Sequence, residues 1–133
     1  MISKFEKEKL ASKLTNEFTF MVNDLQKEKP EKKVTLNVHE ENLYWCINWD
    51  SSKIWKTEKY LKEYFQVQIW NIDENYFLMG EHRVEDIFEQ LSETYIMYEN
   101  KTIKYFNSNI DEIIEKTKEG ILEAIDKNFE SDY

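Results

Sequence analysis

Residues 34–50 read VTLNVHEENLYWCINWD, and the class of the fold turns on them. Val34, Leu36 and Val38 fall on one side of an extended chain, and Thr35, Asn37 and His39 on the other. Past a polar turn at Glu40–Asn42 the alternation resumes, with Leu43, Trp45, Ile47 and Trp49 set against Tyr44, Cys46, Asn48 and Asp50. Successive side chains of a strand point to opposite faces, so two such runs around a turn predict an antiparallel hairpin.

Towards both ends the period changes to that of a helix. Upstream, Ala11, Leu14, Phe18, Met21, Val22 and Leu25 repeat at threes and fours, and Ser3 with Glu6 fits a capping box. The polar run QKEKPEKK (26–33) closes this helix, with Pro30 as the stop. Downstream, Ile110, Ile113, Ile114, Thr117, Ile121 and Ile125 line one side of a second long helix that Asn109 can cap with Glu112. Gly120 either weakens that helix by about 1 kcal/mol relative to Ala or admits a close neighbour.

The middle of the chain alternates between the two patterns. SSKIWKTEKYLKEYF (51–65) is read as helical, with Ile54, Leu61 and Phe65 on one face and Ser52 or Thr57 at its start. QVQIWNID (66–73) and YFLM (76–79) are read as strands around a turn at Asp73–Asn75. Residues 82–91 are read as a short helix, and ETYIMYE (93–99) and IKYF (103–106) as strands around ENKT. The expected architecture is α+β, in one compact domain spanning 1–133. An antiparallel β-meander of about five to six strands packs against the N- and C-terminal helices.

The formal net charge is −9 and the sequence pI about 4.8, so nucleic acid and anionic membranes are disfavoured partners. The charge is uneven. Residues 1–33 hold eight Lys against six acids, whereas 73–99 hold eight acids against one Arg, a net of −7. A single cysteine, Cys46, excludes an internal disulfide. No apolar run resembles a signal peptide or reaches membrane-spanning length, so the expected address is cytoplasmic.

GEHRVEDIFEQL (80–91) holds the densest candidate chemistry. As a helix it puts Val84, Ile87, Phe88 and Leu91 on one stripe and leaves His82, Glu85, Asp86 and Glu89 opposite. His82 and Asp86 then lie one turn apart, but a zinc site wants three or four ligands, usually with more His or Cys. No metal and no cofactor is therefore implied, and Gly80 is assigned to the turn into the helix. His39, in a hairpin turn, lacks a local nucleophile and orienting group. No phosphate-loop, dinucleotide, zincin or C-x-x-C motif occurs. The chain is read as a non-enzyme, the alternative being a small enzyme that uses His39 or His82 with a carboxylate.

A partner surface fits the composition better. One helical layer cannot cover both faces of such a sheet, so some large aromatics should stay exposed, where Trp and Tyr serve as interface anchors. The residues assigned to partner binding are Glu81, Glu85, Asp86, Glu89 and Glu93, with Tyr44 and Trp49. The expected partner is a basic protein, and a homodimer is the structural alternative. In size and charge the chain resembles the small immunity proteins with which bacteria block their own toxins, many of which target nucleases with acidic surfaces. That resemblance implies an inhibitor or immunity protein; a phage inhibitor would share the same character. The Lys-rich, Arg-poor and Gly-poor composition is similar to that of a low-GC bacterium or its phages.

Overall fold

The computed structural model describes residues 4–51, 62–73, 75–85 and 90–126, with the backbone of 54–55 and 58–59. Helix α1 (Lys4–Glu28) is followed by strands β1 (Thr35–His39) and β2 (Tyr44–Trp49). A short ribbon, β3 (Ile54–Trp55) and β4 (Glu58–Lys59), leads into β5 (Lys62–Ile72), β6 (Asn75–Glu85) and β7 (Gln90–Lys101). Helices α2 (Ile103–Asn107) and α3 (Ile110–Asp126) complete the order. The main sheet has five antiparallel strands in the order β1-β2-β5-β6-β7, a meander interrupted only by the ribbon. The expected α+β class and meander are therefore present, with the terminal helices packed on the sheet. No helix among the described residues is long and apolar enough to cross a membrane.

The hairpin at 34–50 forms as its alternation demands. A single 3-10 turn at Glu40–Asn42 closes it, and Leu43 takes the left-handed conformation (φ 51°) that sends the chain back. Leu36 pairs with Ile47 and Val38 with Trp45, so one face is apolar. That face meets α1, whose entire apolar stripe is buried: Leu10, Ala11, Leu14, Phe18, Met21, Val22 and Leu25. The Phe18 ring sits 5.5 Å from the Trp45 ring, and the indole Nε1 donates to Thr15 Oγ1 at 2.9 Å. The chain leaves α1 through a 3-10 turn that begins at Pro30. Ser3, the expected cap, lies outside the described residues.

Three expectations fail, each for a local reason. Residues 62–65 are strand rather than helix, because Glu63 and Phe65 continue the inward row of Val67 and Ile69. Ser52, Thr57 and Leu61 lie outside the described residues. The helix expected at 82–91 is instead the end of β6 and the start of β7, with Val84 facing Leu91 across the hairpin. A stripe at i and i+7 arises equally from two inward strand positions separated by a turn. The strand expected at 103–106 is helix α2, begun by Thr102, whose hydroxyl accepts from the Tyr105 amide.

Helix α3 buries Ile113, Thr117, Ile121, Ala124 and Ile125, while Ile114 is only half-buried. Its seat is the Phe65 ring. A Cβ built on Gly80 would lie 2.7 Å from Phe65 Cζ and 2.5 Å from Met97 Cε; one on Gly120 would lie 3.1 Å from Phe65 Cζ. Both glycines of the chain thus face this one ring, from the sheet below and the helix above. Gly80 is not a turn residue. Neither glycine has a positive φ, so what both positions require is the missing side chain.

Gly80→Ala is expected to cost about 1–3 kcal/mol by overpacking against a ring that cannot retreat. At Gly120 a gain of about 1 kcal/mol in helix propensity offsets the tight contact, so Gly120→Ala should cost clearly less. Urea unfolding of the two variants checks this; equal midpoints would show that Phe65 is not wedged.

Candidate functional site: an acidic helix row and an open sheet face

Alternation along β5 and β6 sorts the site residues by face. The helix side holds Glu63, Phe65, Val67 and Ile69 with Tyr76, Leu78, Gly80, His82 and Val84, all buried. The opposite face holds Tyr64, Gln66, Gln68 and Trp70 with Phe77, Met79, Glu81, Arg83 and Glu85, all of intermediate exposure.

The residues assigned to a partner surface do not converge. Glu81 pairs with Arg83 at 2.9 Å and accepts from Thr94 Oγ1 at 3.2 Å. Glu85 stands opposite Lys62 in the strand register. Tyr44 lies on the same open face, half-buried, one strand beyond Gln68. Glu93 belongs to the helix side, opposite His82. Trp49 is 4% exposed and packs in the core, so it is no exposed anchor. Asp86 and Glu89 lie outside the described residues. Strand period, not helix period, sets these positions, and it sends neighbours in sequence to opposite faces.

His82 was expected on a solvated surface and is buried. Its Nε2 lies 2.6 Å from Glu63 Oε2, with side-chain exposures of 1% and 0%, and the Trp49 ring stacks on the imidazole at 6.0 Å. A histidine–carboxylate pair does exist, with both side chains buried. His39 is exposed at the end of β1, its ring 5.5 Å from Tyr44. The expected one-turn pairing of His82 with Asp86 has no helix to support it. Among the described residues no group of three or more His, Cys, Asp or Glu could hold a metal ion. Cys46 is buried, and burial pushes its thiol upward, away from the reactive thiolate.

The unforeseen feature is on α3. Asp111, Glu115, Glu119 and Glu123 recur every four residues, and all four are exposed. One helical row thus carries a carboxylate about every 6 Å. The nearby cations are engaged elsewhere: Lys118 binds Glu28 at 3.1 Å, and Lys116 lies 4.5 Å over the Tyr98 ring and 3.6 Å from Glu112. Lys29 reaches Asp126 at 3.7 Å. No described ion pair involves the four carboxylates of the row. The four-residue spacing was visible in the sequence, on the side of the helix away from the isoleucines.

Strand β7 borders this row. Tyr95, 41% exposed, donates to Glu93 Oε2 at 2.5 Å. That hydrogen bond, with burial and the carboxylates of Glu93 and Glu123, pushes the phenol up to about 12. Phe65, Met97 and Gly120 form the floor of a shallow groove between α3 and β7, with Glu119, Glu123 and Lys116 along its rim. No known protein family, characterised protein or solved structure matches this chain.

Two outcomes follow from these geometries. Each substitution removes one partner of a buried hydrogen bond, so His82→Leu or Glu63→Leu alone should cost about 1–3 kcal/mol. The double variant should recover much of that loss. A double-mutant cycle by denaturant unfolding measures it, and strictly additive losses would deny the coupling. For Tyr95, a folded-state pKa above the usual 10 favours the neutral phenol. Its contribution is fully present below pH 10 and is lost as pH rises towards 12. Tyr95→Phe should therefore lose less stability than wild type between pH 10 and 12, as followed by chemical unfolding at fixed pH values.

Proposed function

We propose that the chain is a small acidic protein-binding module, an inhibitor or immunity-type protein that neutralises a basic partner by surface complementarity. The observation that supports this reading is the carboxylate row of α3. Like charges at i and i+4 destabilise a helix by about 0.2–0.5 kcal/mol per pair, and this row contains them in succession. The row adds nothing to the core, whose contacts run through Ile113, Thr117 and Ile121 on the other side. A basic surface laid along the row relieves that repulsion, and the same charge steers its approach. Glu81 and Glu85 contribute less to such a field, since Arg83 and Lys62 stand beside them.

The test is a variant with Glu115→Gln, Glu119→Gln and Glu123→Gln. On its own it should be slightly more stable than wild type, by up to about 1 kcal/mol, because repulsion is removed. Against a basic protein captured from the native cell, its association should slow on the order of tenfold at low salt, and the salt dependence should flatten. An unchanged rate and salt slope would reject the α3 row as the contact.

A further inference from the structure

We infer that the open face of the sheet is covered by a second copy of this chain. All three helices serve the other face, so five strands present an undocked surface among the described residues. That surface has the anatomy of an interface. Trp70 and Phe77 stack with ring centroids 4.6 Å apart, Met79 follows Phe77 on the same face, and Ile96 pairs with Met79. Ile72 and Ile96 are 55% and 48% exposed. The result is a continuous apolar band across β5, β6 and β7. Beside it lies a polar zone in which Arg83 pairs with Glu81 and donates to the Tyr64 hydroxyl at 3.2 Å.

Two arguments select the second copy as occupant. The first is charge. In a chain of net −9, the registered residues of this face carry Lys62 and Arg83 against Glu81 and Glu85, a net of zero. A strongly basic protein or an anionic polymer gains nothing there, whereas an equally neutral face meets it without repulsion. The second is size. Strands of 5, 6, 11, 11 and 12 residues, at about 3.3 Å per residue and about 4.8 Å between strands, give a footprint of about 700 Å². Two such faces bury about 1,400 Å², within the range of stable specific interfaces.

Face-to-face packing also resolves the repulsion between two acidic chains. Sheets stack about 10 Å apart and each helix layer adds about 10 Å outside its sheet, so the two α3 rows end about 30 Å apart. That is several Debye lengths at physiological salt, where the screening length is about 8 Å. Both acidic rows then point outward, on opposite sides of the dimer.

Sedimentation equilibrium of the full chain between about 1 and 100 µM tests the inference, a range that brackets micromolar self-association. The mass should approach twice the 16.3 kDa of the chain at the upper end. Met79→Lys and Ile96→Lys each place a lone charge in the apolar band and should weaken association at least tenfold. Glu119→Gln, on the far side, should leave it unchanged. Should a lysine variant fail to fold, wild-type NMR decides: the Met79 and Ile96 methyl signals should shift with concentration while Ile121 stays fixed. A single-chain mass across the whole range overturns the proposal. Concentration-dependent shifts confined to α1 or α3, with the Met79 and Ile96 methyls unchanged, overturn it equally.

Discussion

Phe65 is the residue on which the helix layer is positioned. Its ring is 1% exposed and stands on the central strand of the sheet, between that strand and α3. Here the two glycines remove the side chains that would hold the layers apart. Gly80 lets the ring tip lie over β6, and Gly120 lets α3 settle onto it. That seat turns Ile113, Thr117 and Ile121 into the core. It also turns the row of Asp111, Glu115, Glu119 and Glu123 to solvent. The chemistry of the exposed surface is therefore set by one contact in the interior.

A partition of charge follows from this arrangement. The open sheet face balances its own charges through Arg83 and Lys62, and the acidity is carried by α3 and the turns. Lys118 and Lys29 pair outside the row and tie α3 to α1 and the segment that follows, through Glu28 and Asp126. Such exposed pairs contribute little to stability. Their larger effect is on where negative potential remains. The raised Tyr95 phenol senses that potential from the adjacent strand through Glu93 and Glu123.

Legibility in the sequence followed the purity of each period. The 34–50 hairpin and α1 could be read because their inward positions are apolar without interruption. In β6 the inward row runs Tyr76, Leu78, Gly80, His82, Val84, so a glycine and a histidine stand where the alternation needs hydrophobes. That break, with Val84 and Leu91 seven residues apart, imitates a helix. IKYF at 103–106 has the composition of a strand, yet it forms a helix of five residues, too short to show a period. The Glu63–His82 pair joins positions 19 residues apart and has no local signature. Of the candidate site, the acidic bias and the exposed sheet face were legible. The identity of the acids was not, because the face each one occupies depends on the correct period.

The same interruptions that obscured β6 specify its register. A one-residue slip of β6 against β5 would exchange the apolar row for Glu81, Arg83 and Glu85, which the helix layer cannot accept. A two-residue slip preserves the faces and would escape that control. It is opposed by the two inward residues that break the pattern. Phe65 stands opposite His82, diagonal to Gly80, and Glu63 reaches His82 diagonally from beside Val84. Slipping by two in one direction would bring Gly80 opposite Phe65, draw His82 away from that position and replace the glycine at the ring tip with a larger neighbour. In the other direction Glu63 would lose its diagonal hydrogen bond to the imidazole inside the core, where a broken polar contact is costly. A wholly apolar β6 would tolerate either slip far better. The glycine and the histidine weaken the hydrophobic pattern of this strand, and in doing so they distinguish one pairing from its near neighbours.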